Sequence, residues 1–152
     1  MLDIVLGKNF AKQRGISKIA CASLLKNLKE PKGKKEAMEI CRLKNVLLHF
    51  PCYEFNGGIC TGIKKSNGAA VFSFSDILHE QGFRRGILIS KMRLAIAECR
   101  RLKAGFVVCS LAKKKSEQRN ARELCAFMRV LGMSQHEIVH SCALLERLAG
   151  KK

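Results

Sequence analysis

The run Phe106-Val107-Val108-Cys109-Ser110-Leu111 constrains the fold more than any other feature of the chain. It is apolar on both faces, as a strand buried inside a sheet is. It also follows directly on a long segment of helical period. From Arg84 to Lys103, the residues Leu88, Met92, Ala95, Ile96, Cys99 and Leu102 form one apolar stripe, Lys91, Arg93, Arg100 and Arg101 decorate the rest, and Gly105 ends the pattern. A strand that follows a helix joins its sheet through a crossover, so helices must pack on the sheet.

The remaining periodicities fill in an element order. Ile16, Ala20, Leu24 and Leu28 share one helical face, with Lys18, Lys26 and Lys29 off it, which predicts a helix over 16–29. Glu30-Pro31-Lys32-Gly33-Lys34-Lys35 reads as a basic loop, and a second helix is predicted from Glu36 to His49, ending before Pro51. Gly57-Gly58 and Ser66-Asn67-Gly68 are turn signals. They predict a hairpin of Gly58–Ile63 with Ala70–Ser75, closed by Lys64–Gly68. Two helices, Glu117–Leu131 and Gln135–Leu148, end the chain, and a further strand is possible near Ile4–Leu6. The expected class is α/β mixed (α+β): a small mixed sheet with a central hairpin, covered by about five helices, in a single domain over 1–152.

Charge bears on function rather than fold. The chain has 29 Lys and Arg against 12 Asp and Glu, a formal net charge of +17 in 152 residues. Residues 1–50 carry +7, 51–100 carry +3 and 101–152 carry +7, so no detachable tail accounts for the excess. A field of this sign attracts a polyanion, and nucleic acid, DNA or RNA, is the expected partner. With 47% apolar residues and only two prolines, the chain has the material for a core and is not a disordered basic segment. No stretch approaches a membrane span and the start does not read as a signal peptide, so an intracellular location, cytoplasmic or nuclear, is expected. None of the eight cysteines forms a CxxC pair, and most sit in apolar segments, which predicts buried free thiols.

The candidate phosphate contacts are basic clusters near predicted helix starts and loops. Lys113, Lys114 and Lys115, with Arg119 and Arg122, lie between the last strand and the next helix. Arg84 and Arg85 open another helix, Lys32, Lys34 and Lys35 occupy the loop before Glu36, and Arg100 and Arg101 extend the set. Where such a cluster flanks a helix N-terminus, free amides and the helix dipole add to the side-chain charge. The acids are too few to neutralise these groups. Phe72 and Phe74 alternate on a predicted strand, a pattern of base-stacking platforms but more commonly of a core. Backbone or shape recognition is the expected mode.

His136-Glu137-Ile138-Val139-His140 matches the HExxH pattern of zinc peptidases, with two histidines on one helical face. The same stretch contains Ser134-Gln135-His136-Glu137, a capping box, and Glu146 is the sole acid among the twelve residues after His140. The structural role is therefore preferred, and no metal ligand set is assigned.

Residues from about Tyr53 to Met133 resemble the GNAT superfamily of acyl-CoA N-acyltransferases. The resemblance rests on Gln81-Gly82-Phe83-Arg84-Arg85-Gly86-Ile87, the helix through Ala97, the strand Val107–Leu111, Asn120-Ala121 and Leu131-Gly132-Met133. The resemblance implies that Arg84, Arg85 and Gly86 hold the pyrophosphate of acetyl-CoA, and that the chain acylates an amine, with one linked to nucleic acid as a candidate substrate. Phe83, Leu88 and Met128 depart from the family pattern. Asp76, His79 or Glu80 would be the candidate base. A nuclease using Glu54, Asp76 and Glu80 with a divalent metal is a third class.

Overall fold

Every strand pairing among the described residues is parallel. The computed structural model describes residues 1–5, 15–16, 18–21 and 25–149. In chain order the elements are β1 (Leu2–Val5), β2 (Lys18–Cys21), β3 (Leu28–Lys29), α1 (Lys34–Ile40), β4 (Leu47–His49), α2 (Gly57–Lys65), β5 (Ala69–Ser73), α3 (Phe74–His79), α4 (Gly82–Leu102), β6 (Phe106–Cys109), a 3-10 turn (Lys115–Glu117), α5 (Ala121–Val130) and α6 (Gln135–Ala149). The strands β3-β4-β5-β6 form one sheet in that order and β1-β2 a second. A bridge between Val5 and Ala112, and the Leu111 N–H donating to the Ile4 carbonyl at 2.9 Å, lay the end of β1 beside the chain leaving β6. The neighbour order is thus β2-β1-β6-β5-β4-β3, the circular sequence of a parallel α/β barrel open between β2 and β3.

The core follows the alternation of the strands. Leu47, Ala69, Val71, Val107 and Cys109 face one side, where they meet Leu2 and Ile4 and the α6 residues Leu144, Leu145 and Leu148. Leu48, Ala70, Phe72 and Val108 face the other, against Ile59 and Ile63 of α2, Met92 and Ile96 of α4, and Phe127 and Met128. Phe72 is completely buried, which contributes roughly 2–3 kcal/mol of transfer free energy.

The α/β class stands, and so do the strand at the N-terminus, α4, β6 and α6. The mixed sheet with a central hairpin does not. Gly58–Ile63 lies in α2, because the Asn56 side chain accepts the Ile59 N–H and caps a helix that buries Ile59, Cys60 and Ile63 together. Gly62 belongs to that helix: a Cβ there would collide with the sulfur of Cys41. Of the helix predicted over 16–29, Lys18–Cys21 is instead β2 and Leu28–Lys29 is β3, while residues 17 and 22–24, Leu24 among them, lie outside the described residues. The predicted helix 36–49 stops at Ile40, the chain turns through Asn45 (φ 56°), and Leu47–His49 is a strand. Val46 to Phe50 are all buried, and a run apolar on every side fits either element by periodicity. With the pairings parallel and the hairpin gone, the GNAT-like order is absent from the fold.

Candidate nucleic-acid interface

In a parallel sheet the segments that leave the strands all emerge at one edge, where α/β folds place their binding sites. Three of the basic clusters lie there. Lys32, Lys34 and Lys35 follow β3, Arg84 and Arg85 follow β5 through the short α3, and Lys113, Lys114 and Lys115 follow β6. Lys32, Lys35, Arg84, Lys113, Lys114, Lys115 and Arg122 are exposed and have no carboxylate in salt-bridge contact among the described residues. Lys34 is held by Glu54 at 2.7 Å, with both side chains largely in solvent. Arg85 donates to the Glu80 carbonyl at 2.8 Å. Arg119 donates to the Ser116 and Gln118 carbonyls and lies 5.2 Å above the Phe74 ring, a cation–π contact.

Arg100 and Arg101 sit at the far end of α4, away from this edge. Arg100 forms a bidentate pair with Glu137 at 2.7 and 3.1 Å, and Arg101 pairs with Glu98 at 2.6 Å. The structure therefore does not bring them together with the other clusters.

Beneath the basic loops lies a polar network that sequence reasoning missed. His49, at the end of β4, places Nε2 2.9 Å from Asp76 Oδ2 and Nδ1 3.7 Å from Glu30 Oε2. The Tyr53 hydroxyl donates to the same Asp76 oxygen at 2.6 Å and accepts the Ser73 N–H at 3.0 Å. Burial alone would push the His49 imidazole down, but Asp76 and Glu30 outweigh it and hold the pKa at about 9. Burial likewise pushes the Asp76 carboxyl up, and its bonds to His49, Tyr53 and Ser73 bring it below the ordinary value. Burial first, then the Asp76 charge, raises the Tyr53 hydroxyl well above its usual range. Tyr53 is fixed in a left-handed conformation (φ 52°) by this bond and by stacking on Phe72 at 5.4 Å. The Glu30 carboxyl is lowered, first by its bond to His49, with a smaller contribution from Lys113. Lys113 follows β6 and Glu30 follows β3, with β4 and β5 between them in the sheet.

Glu117 organises the loop after β6. Its Oε2 accepts the N–H groups of Lys113 at 2.7 Å and Lys114 at 3.3 Å, and the Ser75 hydroxyl at 3.2 Å, while Oε1 lies 3.3 Å from His79. The helix expected near Ser116 begins instead at Ala121, behind a capping box of Asn120 and Glu123. The amides of Lys113 and Lys114 are thus taken by a carboxylate and are not offered to a phosphate. At the start of α4, Gln81 supplies no side-chain cap, so the amides beside Arg84 and Arg85 remain uncapped.

Of the other sequence candidates, Phe72 is core and Phe74 packs edge-on against Phe127. Glu137 accepts the Ser134 N–H at 2.8 Å and donates its own N–H to Ser134 Oγ, the predicted capping box. No cluster of metal-ligating groups exists among the described residues. Cys41, Cys60, Cys99 and Cys109 are buried free thiols, and Cys52, Cys125 and Cys142 are half-buried. No helix among the described residues is long and apolar enough to cross a membrane.

No known family profile matches the chain. It is 25% identical over 127 residues to ribonuclease P protein component 3 of Methanosarcina mazei, covering 79% of this chain and 53% of that protein. In three dimensions it is similar to a chain in the cryo-EM structure of archaeal ribonuclease P with mature tRNA, with a TM-score of 0.71 at 17% identity, over 81% of this chain and 55% of the other. The chain spans about half the length of the curated relative it matches. These likenesses overturn the resemblance to the GNAT superfamily, and with it the ground for assigning Arg84, Arg85 and Gly86 to the pyrophosphate of acetyl-CoA.

Proposed function

We propose that this chain binds structured RNA through the loops that leave β3, β5 and β6, as a protein of the ribonuclease P component kind. The observation that carries the reading is the placement of Lys32 and Lys35, Arg84, and Lys113 to Lys115 at one edge of a parallel sheet, with no salt bridge to any of them among the described residues. Phosphates would be met by side-chain cations at a rigid edge, which positions a folded RNA by its backbone and shape. The His49–Asp76–Tyr53 network keeps that edge fixed, so little ordering entropy is lost on binding. The net charge of +17 supplies long-range attraction. The named relative is a ribonuclease P component and the similar solved chain belongs to an assembly with tRNA, which favours RNA over DNA and a cytoplasmic or nuclear setting.

The test is a titration of a labelled transfer RNA and of a DNA duplex of equal length at two salt concentrations. RNA should bind more tightly, with affinity falling steeply as salt rises. Charge reversal at Lys113, Lys114 and Lys115 should abolish binding at the higher salt while the same change at Arg100 and Arg101 should not. No RNA binding near physiological salt overturns the reading.

A further inference from the structure

We propose that Phe83 is a stacking platform for an unpaired base of the bound RNA. Phe83 is 84% exposed in the first turn of α4. It is the one exposed Phe or Tyr among the described residues: Phe50, Tyr53, Phe55, Phe72 and Phe127 are buried, and Phe74 and Phe106 are packed against the core. A single exposed apolar side chain is ordinary on a protein surface, and Leu94 and Val139 are further examples here; what sets this ring apart is its surroundings.

The surroundings specify which ligand. Gly82 precedes the ring and Gly86 lies one turn on, and apart from their chain neighbours and the backbone of α4 no atom stands within 4 Å of where a Cβ at either would be. The ring is therefore approachable by something flat. Arg84 and Arg85 follow it directly, and Arg84 lines a cleft of about 240 Å³ together with Ile87 and Lys91. Ile87 is four residues from Phe83, on the same side of the helix, so an apolar strip runs from the ring into a cleft where Arg84 and Lys91 stand with a single acid, Glu80. An aromatic ring flanked by arginines is the chemistry of nucleobase stacking with the phosphate neutralised alongside. A protein partner would more commonly meet a broader apolar patch with depleted charge at its centre.

The proposal rests on the RNA-binding reading and adds a preference for unpaired nucleotides to it. The chain has no Trp, so Phe83→Trp introduces a single tryptophan at the site. The experiment titrates the full chain, its Phe83→Ala variant and its Phe83→Trp variant with an RNA hairpin bearing an unpaired loop and with a fully paired RNA duplex. The expected result is quenching of tryptophan emission by the hairpin, and a loss of roughly 5- to 100-fold in hairpin affinity for Phe83→Ala, with duplex affinity and salt slope unchanged. Phe83→Trp should bind the hairpin at least as well as the parent chain. Unchanged hairpin affinity in Phe83→Ala overturns the proposal and leaves RNA binding standing. An equal loss for hairpin and duplex overturns it as well. If the unaltered chain binds neither RNA, the RNA-binding reading falls together with it.

Discussion

His49 Nε2 and Asp76 Oδ2, 2.9 Å apart, tie the end of β4 to the helix that follows β5. Because the same oxygen also accepts the Tyr53 hydroxyl, three successive exits from the sheet edge are locked to one carboxylate once Glu30, on the other side of the imidazole, is included. The imidazole sits between two acids and donates to Asp76, so it is an imidazolium at neutral pH.

The pH dependence of stability follows from that arrangement. The folded pKa of His49, about 9, lies above its ordinary value of 6.5, so its contribution is fully present below pH 6.5 and is lost as pH rises through 9. The loss should be on the order of 3 kcal/mol. Asp76 works in the opposite direction: its carboxyl is lowered, so its contribution is present above its ordinary value and is lost as pH falls through the folded one. Denaturant midpoints measured from neutral pH to above 9 should fall steadily in the parent chain. Asp76→Asn should be less stable at neutral pH and should fall less steeply than the parent chain over the same range.

A second expectation concerns close packing between α1 and α2. Gly62→Ala places a methyl group onto the Cys41 sulfur, in a fully packed site, and should destabilise by about 1–3 kcal/mol. Cys41→Ala removes the obstructing atom. The double variant should recover much of the loss, and a thermodynamic cycle of urea unfolding would measure that coupling. Additive losses would show that the two residues do not share the contact.

These two relationships also mark how far the sequence reading reached. The long stripe of α4 and the two-sided apolar run of β6 were legible because each satisfies one period over a sufficient length. The short strands were not. Val46 to Phe50 is apolar on all sides, and Gly57 to Ile63 carries turn residues that serve as the first turns of a capped helix. Lys18 to Lys29 mimics helical spacing while containing two strands. The basic loops were visible as charge clusters, but their gathering at one edge depends on every strand running parallel, which no local pattern encodes. His49, Tyr53 and Glu117 carried no signal of their own, since Asp76 lies 27 residues from His49, Ser73 lies 20 from Tyr53 and Ser75 lies 42 from Glu117. The exposure of Phe83 was equally hidden.

Arg100 and Glu137 offer a third test, because charge there has a structural use. Arg100 pairs with the carboxylate that also caps α6, and Glu137 is held at a pKa of about 2, chiefly by Arg100. Half of the arginine side chain is in solvent, so screening limits the pair. Arg100→Ala should cost about 1 kcal/mol or less, and Glu137→Ala more, up to ~2 kcal/mol, because the cap is lost too. RNA affinity should change little in Arg100→Ala. A loss comparable to that at the β6 loop would extend the interface to this end of α4.

The salt dependence of binding distinguishes phosphate contacts from general attraction. Each phosphate contact that a lysine makes contributes roughly 0.7 to 0.9 to the slope of log affinity against log salt. If Lys113, Lys114 and Lys115 all meet phosphates, replacing them with Ala should lower the slope by roughly 2 to 3. The amides of Lys113 and Lys114 are held by Glu117, so the loop keeps its shape when the side chains are cut back, and the change reports charge rather than folding. Glu117→Gln is the complementary variant. It weakens the grip on those amides without removing a lysine, so it should reduce affinity through disorder of the loop while leaving the slope near that of the parent chain. A slope unaltered by the triple replacement would remove the β6 loop from the interface and leave the β3 and β5 exits as the remaining contacts.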